Sequence, residues 1–382
     1  MKVRLRAALA GVVALAVGGA LAVGGALTGF GPPSAGAAVN PSKATSAAAF
    51  GGMAGLVKAA KKEGTLNVIA LPADWANYGT IINDFEKKYG ITVNSENPDG
   101  TSAQEVTTVS AEKGQSRAPD VLDLSTSFAV AAAADGLLAP YKVASWNEIP
   151  TAAKNLNGDW YDDYGGFVSI GYNSNVVKGA PTSFKDLLKP IYKDQVALAG
   201  NPTLSGSAFA AVYAAALANG GSFGDIEPGI TYFHKLAAEG NFVPVTGSES
   251  TVESGQTPIV IWWDYLEESQ VAHQFPGWKV VIPSDGHYAA YYSQAISATA
   301  PHPAAARLWE EYLYSTTGQN LWLQGSARPI ELASLVKDGT VDKKAYAALP
   351  AGPKGTITFP TVAQTTAAEN LVAQGWASAI GG

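Results

Sequence analysis

The sequence contains no cysteine and only two methionines in 382 residues. The absence of thiols excludes disulfide bridges, a thiolate nucleophile and sulfur ligands for a metal. It also excludes a membrane tether made by lipid modification of a cysteine. A chain of this length can bury enough surface to fold without covalent bridges, so the absence is compatible with a stable globular protein.

Basic residues are outnumbered by acidic ones, 25 against 32, which gives a formal net charge of −7. After the first six positions the basic residues form no long run. Nucleic acid is therefore not an expected partner, because its phosphates are bound by clustered lysine and arginine. An acidic body favours solubility and weakly favours cationic ligands.

The N-terminus has the layout of a secretory signal. A basic start at residues 2–6 precedes an uncharged run over 7–30, and the small residues Ala35–Ala37 follow. We predict a signal peptide over 1–37 that directs the protein out of the cytoplasm, to the periplasm or cell surface. The alternative is an uncleaved membrane anchor, since the run is long enough to span a bilayer. Residues 38–52 are Ala-, Ser- and Gly-rich and predict a flexible leader.

Beyond the leader, strand-like and helix-like patterns alternate, which predicts an α/β fold with a parallel sheet. The pattern starts again near residue 196, so we expect two α/β units with binding groups at the carboxyl ends of their strands. The predicted strands cover 66–71, 91–93, 121–124, 167–172, 196–199, 259–262, 279–282 and 289–298, and the main predicted helices cover 78–89, 102–113, 128–134, 208–219, 230–239 and 304–314.

A polar and aromatic stretch over 141–166 interrupts this alternation. It contains Asp159, Asp162 and Asp163, which lack the regular spacing and distal glutamate of a calcium loop. We therefore expect a solvated turn at this place.

Motifs of enzymes and metal sites are absent from the sequence after the signal. The four histidines are scattered, and no HExxH, GxSxG elbow, P-loop or Rossmann fingerprint is present. The sequence thus predicts a binding protein with no catalytic residue, metal or cofactor. A secreted hydrolase of unrecognised type and a ligand-sensing subunit of a membrane receptor are the alternatives.

Polar side chains follow several predicted strands, where a ligand would be contacted. The first group follows the first strand, the second follows the third strand, and the third precedes a helix of the second unit. Hydroxyl groups and helix N-termini can hold a polar or anionic ligand end, although the same residue types are common helix caps. The groups are Asp74, Trp75 and Asn77; Ser125, Thr126 and Ser127; and Thr203, Ser205, Gly206 and Ser207.

Another candidate is Trp262-Trp263-Asp264, which ends a very apolar strand. Because side chains alternate along a strand, only one of the tryptophans is expected to line a cleft, and Asp264 is expected to be exposed at the strand end. An indole face beside a carboxylate suits a ligand ammonium group. The alternative is a core tryptophan with a capping aspartate. Tyr291 and Tyr292 lie on a later strand and are interpreted as cleft lining or packing.

Several short segments together resemble the type II periplasmic solute-binding proteins of ABC importers, in the group of iron(III), polyamine, thiamine and aminophosphonate binders. The segments are LVKAAKKEG at 56–64, FEKKYGI at 85–91, APDV at 118–121, TSFKDLL at 182–188 with Tyr192-Lys193, and PTLSGS at 202–207.

The resemblance implies two lobes joined by crossing strands, a cleft between them, and closure over a small ligand by hinge motion. It also implies a membrane permease as partner and a monomeric protein. The expected lobes are 53–165 plus 284–326, and 166–283 plus 327–382.

One departure from the family pattern concerns the ligand. Iron binders of this group carry adjacent tyrosines near the position of Trp262-Trp263, and an indole cannot serve as an anionic oxygen ligand, so ferric iron is not expected. Asp264 beside tryptophan favours a cation, whereas hydroxyl-rich helix starts favour an anionic end. A small polar organic cation or zwitterion, for example of the polyamine or aminophosphonate type, is therefore the ligand that the sequence favours.

Overall fold

The computed structural model describes residues 39–353 and 358–381. The predicted signal peptide over 1–37 lies outside the described residues. The strands are β1 Thr65–Ile69, β2 Thr92–Glu96, β3 Val121–Ser125, β4 Leu138–Ala139, β5 Tyr161–Asn173, β6 Val196–Leu198, β7 Ile259–Trp263, β8 Trp278–Val281, β9 Ala289–Ser297 and β10 Arg328–Pro329.

The α-helices of the described residues are named in the same way, and α9 continues into a π-helical turn at Glu267–Ala272. They are α1 Met53–Glu63, α2 Tyr78–Tyr89, α3 Ser102–Ala111, α4 Thr126–Ala134, α5 Phe184–Leu187, α6 Gly206–Ala218, α7 Glu227–Ala238, α8 Glu249–Glu253, α9 Asp264–Leu266, α10 Pro303–Leu313, α11 Thr316–Gln324, α12 Leu332–Lys337, α13 Lys343–Ala348 and α14 Val362–Ala379. In the described chain, no helix combines the length and apolar character needed to cross a membrane.

Helix α1 shows how the local sequence sets the elements. Leu56 and Ala60 are four positions apart and are both fully buried, so they form the core-facing side of the helix. Gly64 follows with a φ of 75°, and its N–H donates to the Ala60 carbonyl as a left-handed C-cap. The chain therefore turns directly from α1 into β1.

The sheets are mixed, whereas the alternating pattern predicted parallel pairing. Strands β1 and β2 pair in parallel, as do β6 and β7. The large sheet has the order β3-β9-β5-β7-β6, and its β3–β9, β9–β5 and β5–β7 pairs are antiparallel.

Strand β5 joins the two halves of the large sheet. Its residues up to Phe167 pair with β9, and its residues from Val168 onward pair with β7 and β8. Gly165 and Gly166 lie where the partner changes. A Cβ atom on Gly166 would lie 2.2 Å from Asp264 Oδ1, and one on Gly165 would lie 2.1 Å from the Ala290 carbonyl oxygen. Only glycine permits this close approach.

The expectation of a solvated turn at Asp162 and Asp163 is wrong, because both side chains are buried in β5. Ser293 Oγ donates to Asp162 Oδ1 at 2.7 Å, and Gln294 Nε2 donates to Asp163 Oδ2 at 2.9 Å. Burial raises the pKa of Asp162 to about 7. The polar residues of β5 are accommodated because β9 supplies the donors.

Residues 39–52 differ from the expected flexible leader. They include two short 3₁₀ helices, and the Ala44 carbonyl accepts a hydrogen bond from Arg307 Nε at 2.7 Å. The Ser42 carbonyl accepts another from Arg307 Nη2 at 3.2 Å. The contacts use main-chain atoms, which explains why the side-chain pattern did not reveal them.

Helix α14 was not predicted from the sequence. It packs against α7 and against α4, so it touches both halves of the molecule. Its buried residues Ala368, Val372 and Trp376 are spaced four apart, and the Trp376 ring lies 5.3 Å from the Phe233 ring. That spacing was the signal that the sequence offered for this helix.

Candidate ligand cleft

A cavity of about 690 Å³ lies between the two halves of the molecule. One wall comes from the residues after β1, the start of α3 and the end of β3. The other wall comes from the starts of α6 and α8 and from Trp262 of β7. The volume is in the range of small-molecule sites in proteins, roughly 300 to 1,000 Å³.

The loop after β1 contributes Asp74 and Trp75 to the cleft wall. Trp75 Nε1 donates to the Tyr164 hydroxyl at 2.7 Å, and the Trp75 ring lies edge-on to the Tyr292 ring at 5.9 Å. Asn77 does not line the cleft, because its Nδ2 donates to the Leu321 carbonyl at 2.8 Å and ties α2 to α11.

The start of α6 and the residue before α4 lie close together at the cavity wall. A Cβ atom on Gly206 of α6 would lie 3.8 Å from the Ser125 Cβ before α4. Ser125, Ser205, Gly206 and Ser207 all line the cavity. Ser205 also caps α6, since its Oγ accepts from the Ala208 N–H at 3.4 Å. The site and capping roles therefore coincide at Ser205.

The remaining hydroxyl candidates lie outside the main cavity. Thr203 is exposed and donates from Oγ1 to Asn201 Oδ1 at 2.9 Å. Thr126 and Ser127 line a neighbouring cavity of about 110 Å³, called here the side cavity. Ser127 Oγ donates to Glu369 Oε1 of α14 at 2.8 Å, which is a structural contact between α4 and the C-terminal helix.

The tryptophan pair divides between the two cavities, as the alternation of a strand requires. Trp262 is half-buried and lines the cleft, whereas Trp263 is buried and lines the side cavity. The Trp263 ring lies 6.3 Å from the Tyr265 ring in a stacked arrangement.

The expectation that Asp264 is exposed is wrong, because the side chain is fully buried. Its carboxylate forms an ion pair with Arg328 of β10 and accepts a hydrogen bond from the Phe167 N–H at 2.9 Å. Burial raises the pKa of Asp264, and the Arg328 charge opposes this change. The strand end is covered because β10 pairs with β5 beside it, a long-range contact that the local sequence does not indicate.

Tyr291 and Tyr292 both line the side cavity, but only Tyr292 also lines the cleft. Tyr292 lines the cleft and stacks on Tyr164 with ring centroids 5.8 Å apart. Tyr291 lines only the side cavity, where its ring lies 5.7 Å from the Phe359 ring. The two hydroxyl groups are thus not arranged as an adjacent pair toward the cleft.

The cleft is lined by more carboxylates than the sequence indicated. Four lie at exposed or half-buried positions, and two, Glu105 and Asp123, are buried at the cavity wall. Among the lining residues in the described chain there is no lysine, arginine or histidine. The four outer carboxylates are Asp74, Asp99, Glu249 and Glu253.

Carboxylates from opposite walls interact across the cleft. The pKa of Glu249 is raised by burial, by Glu253 on the same helix and by Asp74 on the facing wall. Like charges at close range disfavour the ionised form, and a bound cation would relieve this repulsion. A positive charge in the cleft would therefore be stabilised by these carboxylates.

Two segments of the cleft were missed by sequence reasoning. The first is the loop Pro98–Ala103, and the second is Thr246–Ser250. In the second segment Ser248 forms a capping box with Thr251, and a Ser before a short polar helix was the available signal. Asp123 was also missed, although a charged residue within the apolar strand Val121–Leu124 is a clear sign of a special role.

No group of three or more His, Asp or Glu side chains suited to a metal ion occurs among the residues from 39 onward that the structure describes. Two histidines have structural partners: His302 Nδ1 lies 2.8 Å from Asp120 Oδ2, and His234 Nδ1 lies 3.0 Å from the Ala379 carbonyl oxygen.

Two α/β lobes with a polar cleft between them define the class of periplasmic binding proteins, and solved structures show this fold. The periplasmic binding protein AfuA from Actinobacillus pleuropneumoniae aligns with a TM-score of 0.63 at 17% identity, over 83% of this chain and 99% of that chain. The ferric binding protein from Campylobacter jejuni aligns with a TM-score of 0.62 at 17% identity, over 82% and 99%.

The spermidine/putrescine transporter protein PotD from Streptococcus pneumoniae aligns with a TM-score of 0.58 at 16% identity, over 81% of this chain and 98% of that chain. At such identities the likeness concerns the fold alone. The model of the family described as bacterial extracellular solute-binding protein matches residues 116–350. The chain belongs to this family. No curated protein sequence matches it.

Proposed function

We propose that the protein is the extracytoplasmic solute-binding component of an ABC importer and that it captures a small organic cation or zwitterion. The observation that carries the ligand class is the cleft lining, in which six carboxylates are present and no basic side chain occurs among the described lining residues. Family membership supports the role in solute binding.

The aromatic lining supports the same ligand class. The rings of Trp75, Trp262 and Tyr292 line the cavity together with the carboxylates. An ammonium group over an aromatic face gains about 0.5 to 2 kcal/mol, depending on its desolvation. The starts of α3, α4 and α6 add main-chain N–H groups, which suit an anionic or hydroxyl end of the ligand. A polyamine or an aminophosphonate fits this combination.

Capture is proposed to close the two lobes, with the boundaries 53–165 plus 284–326 and 166–283 plus 327–382. Asp74 belongs to the first of these lobes, and Glu249 and Trp262 belong to the second. A ligand that contacts both walls binds the closed form more tightly and shifts the population toward it. The closed monomer would then be recognised by the permease, and no chemical turnover is proposed.

The test is a thermal-shift screen of the protein without its signal segment. The panel contains diamines, spermidine, thiamine, aminophosphonates, amino acids, sugar phosphates and ferric citrate. A ligand at 100 times its dissociation constant stabilises the folded state by about 2.7 kcal/mol, and closure should reduce the radius of gyration measured by small-angle X-ray scattering. Stabilisation by an anionic solute and by none of the amines would contradict the proposed ligand class.

A further inference from the structure

Asp123 occupies an unusual place for a carboxylate, at the inner wall of the cleft on an otherwise apolar strand. Its neighbours Leu122 and Leu124 point away from it into a hydrophobic cluster. Asp123 itself is 5% exposed and lines the cavity. The alternation along β3 therefore directs this one side chain toward the ligand space.

The two oxygens of the Asp123 carboxylate differ in their partners. Oδ2 accepts hydrogen bonds from the Tyr78 hydroxyl at 2.7 Å and from the Tyr164 hydroxyl at 2.9 Å. Oδ1 is buried, and no group among the described residues donates a hydrogen bond to it. A buried acceptor without a donor destabilises the protein, and the cost is larger when the acceptor is charged.

The orientation of the carboxylate is fixed by its surroundings. Two tyrosines hold Oδ2, and the Asp123 main-chain N–H donates to Glu105 Oε2 at 2.9 Å. Tyr164 also accepts from Trp75 Nε1, so the indole that lines the cleft and the carboxylate belong to one hydrogen-bond network. The carboxylate is thus held in one orientation at the cavity wall, and its Oδ1 is left without a donor among the described residues.

We propose that Asp123 is the deep anchor of the cleft and that its Oδ1 accepts a hydrogen bond from an N–H of the ligand's ammonium group. This inference rests on the proposed function and narrows the ligand class. Primary, secondary and tertiary ammonium groups carry an N–H, whereas a quaternary ammonium carries none and leaves Oδ1 without a partner. Aromatic faces attract both kinds of cation. The preference for an ammonium group that carries an N–H over a quaternary ammonium group therefore comes from Asp123 Oδ1.

The charges around Asp123 couple ligand binding to the release of a proton. Burial raises the pKa of Asp123 to about 7, although the bonds from Tyr78 and Tyr164 oppose the change. Burial also raises the pKa of Glu105 well above its usual range, and Asp123 adds to this effect. The titratable groups that face Asp123 are all acids or phenols: Glu105 of α3, Tyr78 of α2, Asp163 and Tyr164 of β5, Tyr265 of α9, Tyr292 of β9 and Glu310 of α10.

A ligand cation favours the ionised form of Asp123, so binding near neutral pH releases a proton to the buffer. Affinity for the cation therefore rises with pH while the free protein still holds that proton. The rise is at most about tenfold per pH unit and levels off above the pKa of the free protein.

The experiment is isothermal titration calorimetry of the wild-type protein with three probes and their N-permethylated counterparts. The probes are 1,4-diaminobutane, 2-aminoethylphosphonate and β-alanine. We expect at least one amine to bind about tenfold or more tightly than its permethylated form. Titrations in two buffers of different ionisation enthalpy at pH 7 should show proton release with the amine.

Two variants complete the test. Asp123→Asn can keep its carbonyl oxygen at the position that accepts from Tyr78 and Tyr164 and place its amide nitrogen at the free position, so the fold should be retained. It should weaken binding of the amine about tenfold or more and abolish the proton release. Glu331→Gln removes another buried carboxyl that does not line the cleft, and it should change neither the affinity for the amine nor the proton release.

The outcomes separate this inference from the proposed function. If an amine binds, yet its permethylated form and the Asp123→Asn variant bind equally well, Asp123 is not the anchor and the proposed ligand class stands. If a permethylated probe binds and its parent amine does not, this inference is overturned, and if no cation or zwitterion of either panel binds, the proposed ligand class is overturned as well. Because the comparison of probes and the proton count use the wild-type protein, they remain decisive even if a variant fails to fold.

Discussion

The indole nitrogen of Trp75 lies 2.7 Å from the hydroxyl oxygen of Tyr164, to which it donates a hydrogen bond. Trp75 follows β1 and lines the cleft, whereas Tyr164 is buried in β5. The contact holds the indole in one orientation at the cleft wall. A ligand then binds without the entropic cost of ordering this side chain.

Replacement of Trp75 should weaken ligand binding with little effect on folding. We expect Trp75→Ala to raise the dissociation constant about tenfold, which corresponds to roughly 1.4 kcal/mol, as measured by intrinsic fluorescence or calorimetry. Trp146→Ala removes another half-buried indole that lies outside the cleft and should leave affinity unchanged. Equal affinity of the Trp75→Ala variant and the parent would show that the ring does not contact the ligand.

Replacement of Asp264 should make the protein easier to unfold. Because this carboxylate forms a buried ion pair with Arg328, Asp264→Ala leaves an unpaired buried charge and should lower the free energy of unfolding by about 3 to 5 kcal/mol. Urea titration measures the change. Glu96→Ala breaks the exposed pair with Arg117 and should cost less than about 1 kcal/mol. A stable Asp264→Ala variant with impaired ligand binding would contradict the structural role.

The repulsion between Asp74 and Glu249 can be observed directly. Removal of the negative charge in Asp74→Asn should lower the pKa of Glu249, because a like charge raises the pKa of an acid. Carboxyl ¹³C chemical shifts followed against pH give this value. Asp194→Asn, at an exposed left-handed position away from the cleft, serves as the control, and an unchanged Glu249 pKa in both variants would show that the walls do not interact.

Ferric iron should not bind in the cleft with tyrosine ligands. Burial and the Asp123 charge raise the pKa of Tyr292, which disfavours the phenolate that iron requires, and Tyr291 lines only the side cavity. We expect no charge-transfer absorption when ferric citrate is added. A coloured complex that is lost in Tyr292→Phe would refute this expectation.

Much of the fold could be predicted because its elements carry their own signals. The stripe of Tyr78, Ile81 and Phe85 defines α2, and the apolar run at 259–261 defines β7. The α/β class and the family resemblance followed from such local patterns. Only the later part of β5 was predicted, because its first part includes the polar residues Asp162 and Asp163. Their hydrogen-bond partners lie on β9, far away in the sequence.

Trp75, Ser125 and Trp262 follow or end predicted strands, and the structure places all three at the cavity wall, so this placement could be predicted while their contact with a ligand stays a prediction. The environment of a side chain was not predictable when it depends on a residue far away in sequence. Asp264 forms an ion pair with Arg328, 64 positions later, and the sequence near either residue gives no sign of this contact. The acidic character of the cleft likewise appears only when separate loops are brought together.

The change of partner along β5 at Gly165 and Gly166 has a consequence for how the protein can evolve. Because β5 belongs to both halves of the large sheet, the proposed closure of the lobes would act on the main chain near these residues. A substitution there would press against Asp264 or the Ala290 carbonyl and tilt one half against the other. Substitutions at Gly165 or Gly166 would then change the rates of ligand capture and release, while every side chain that contacts the ligand stays the same.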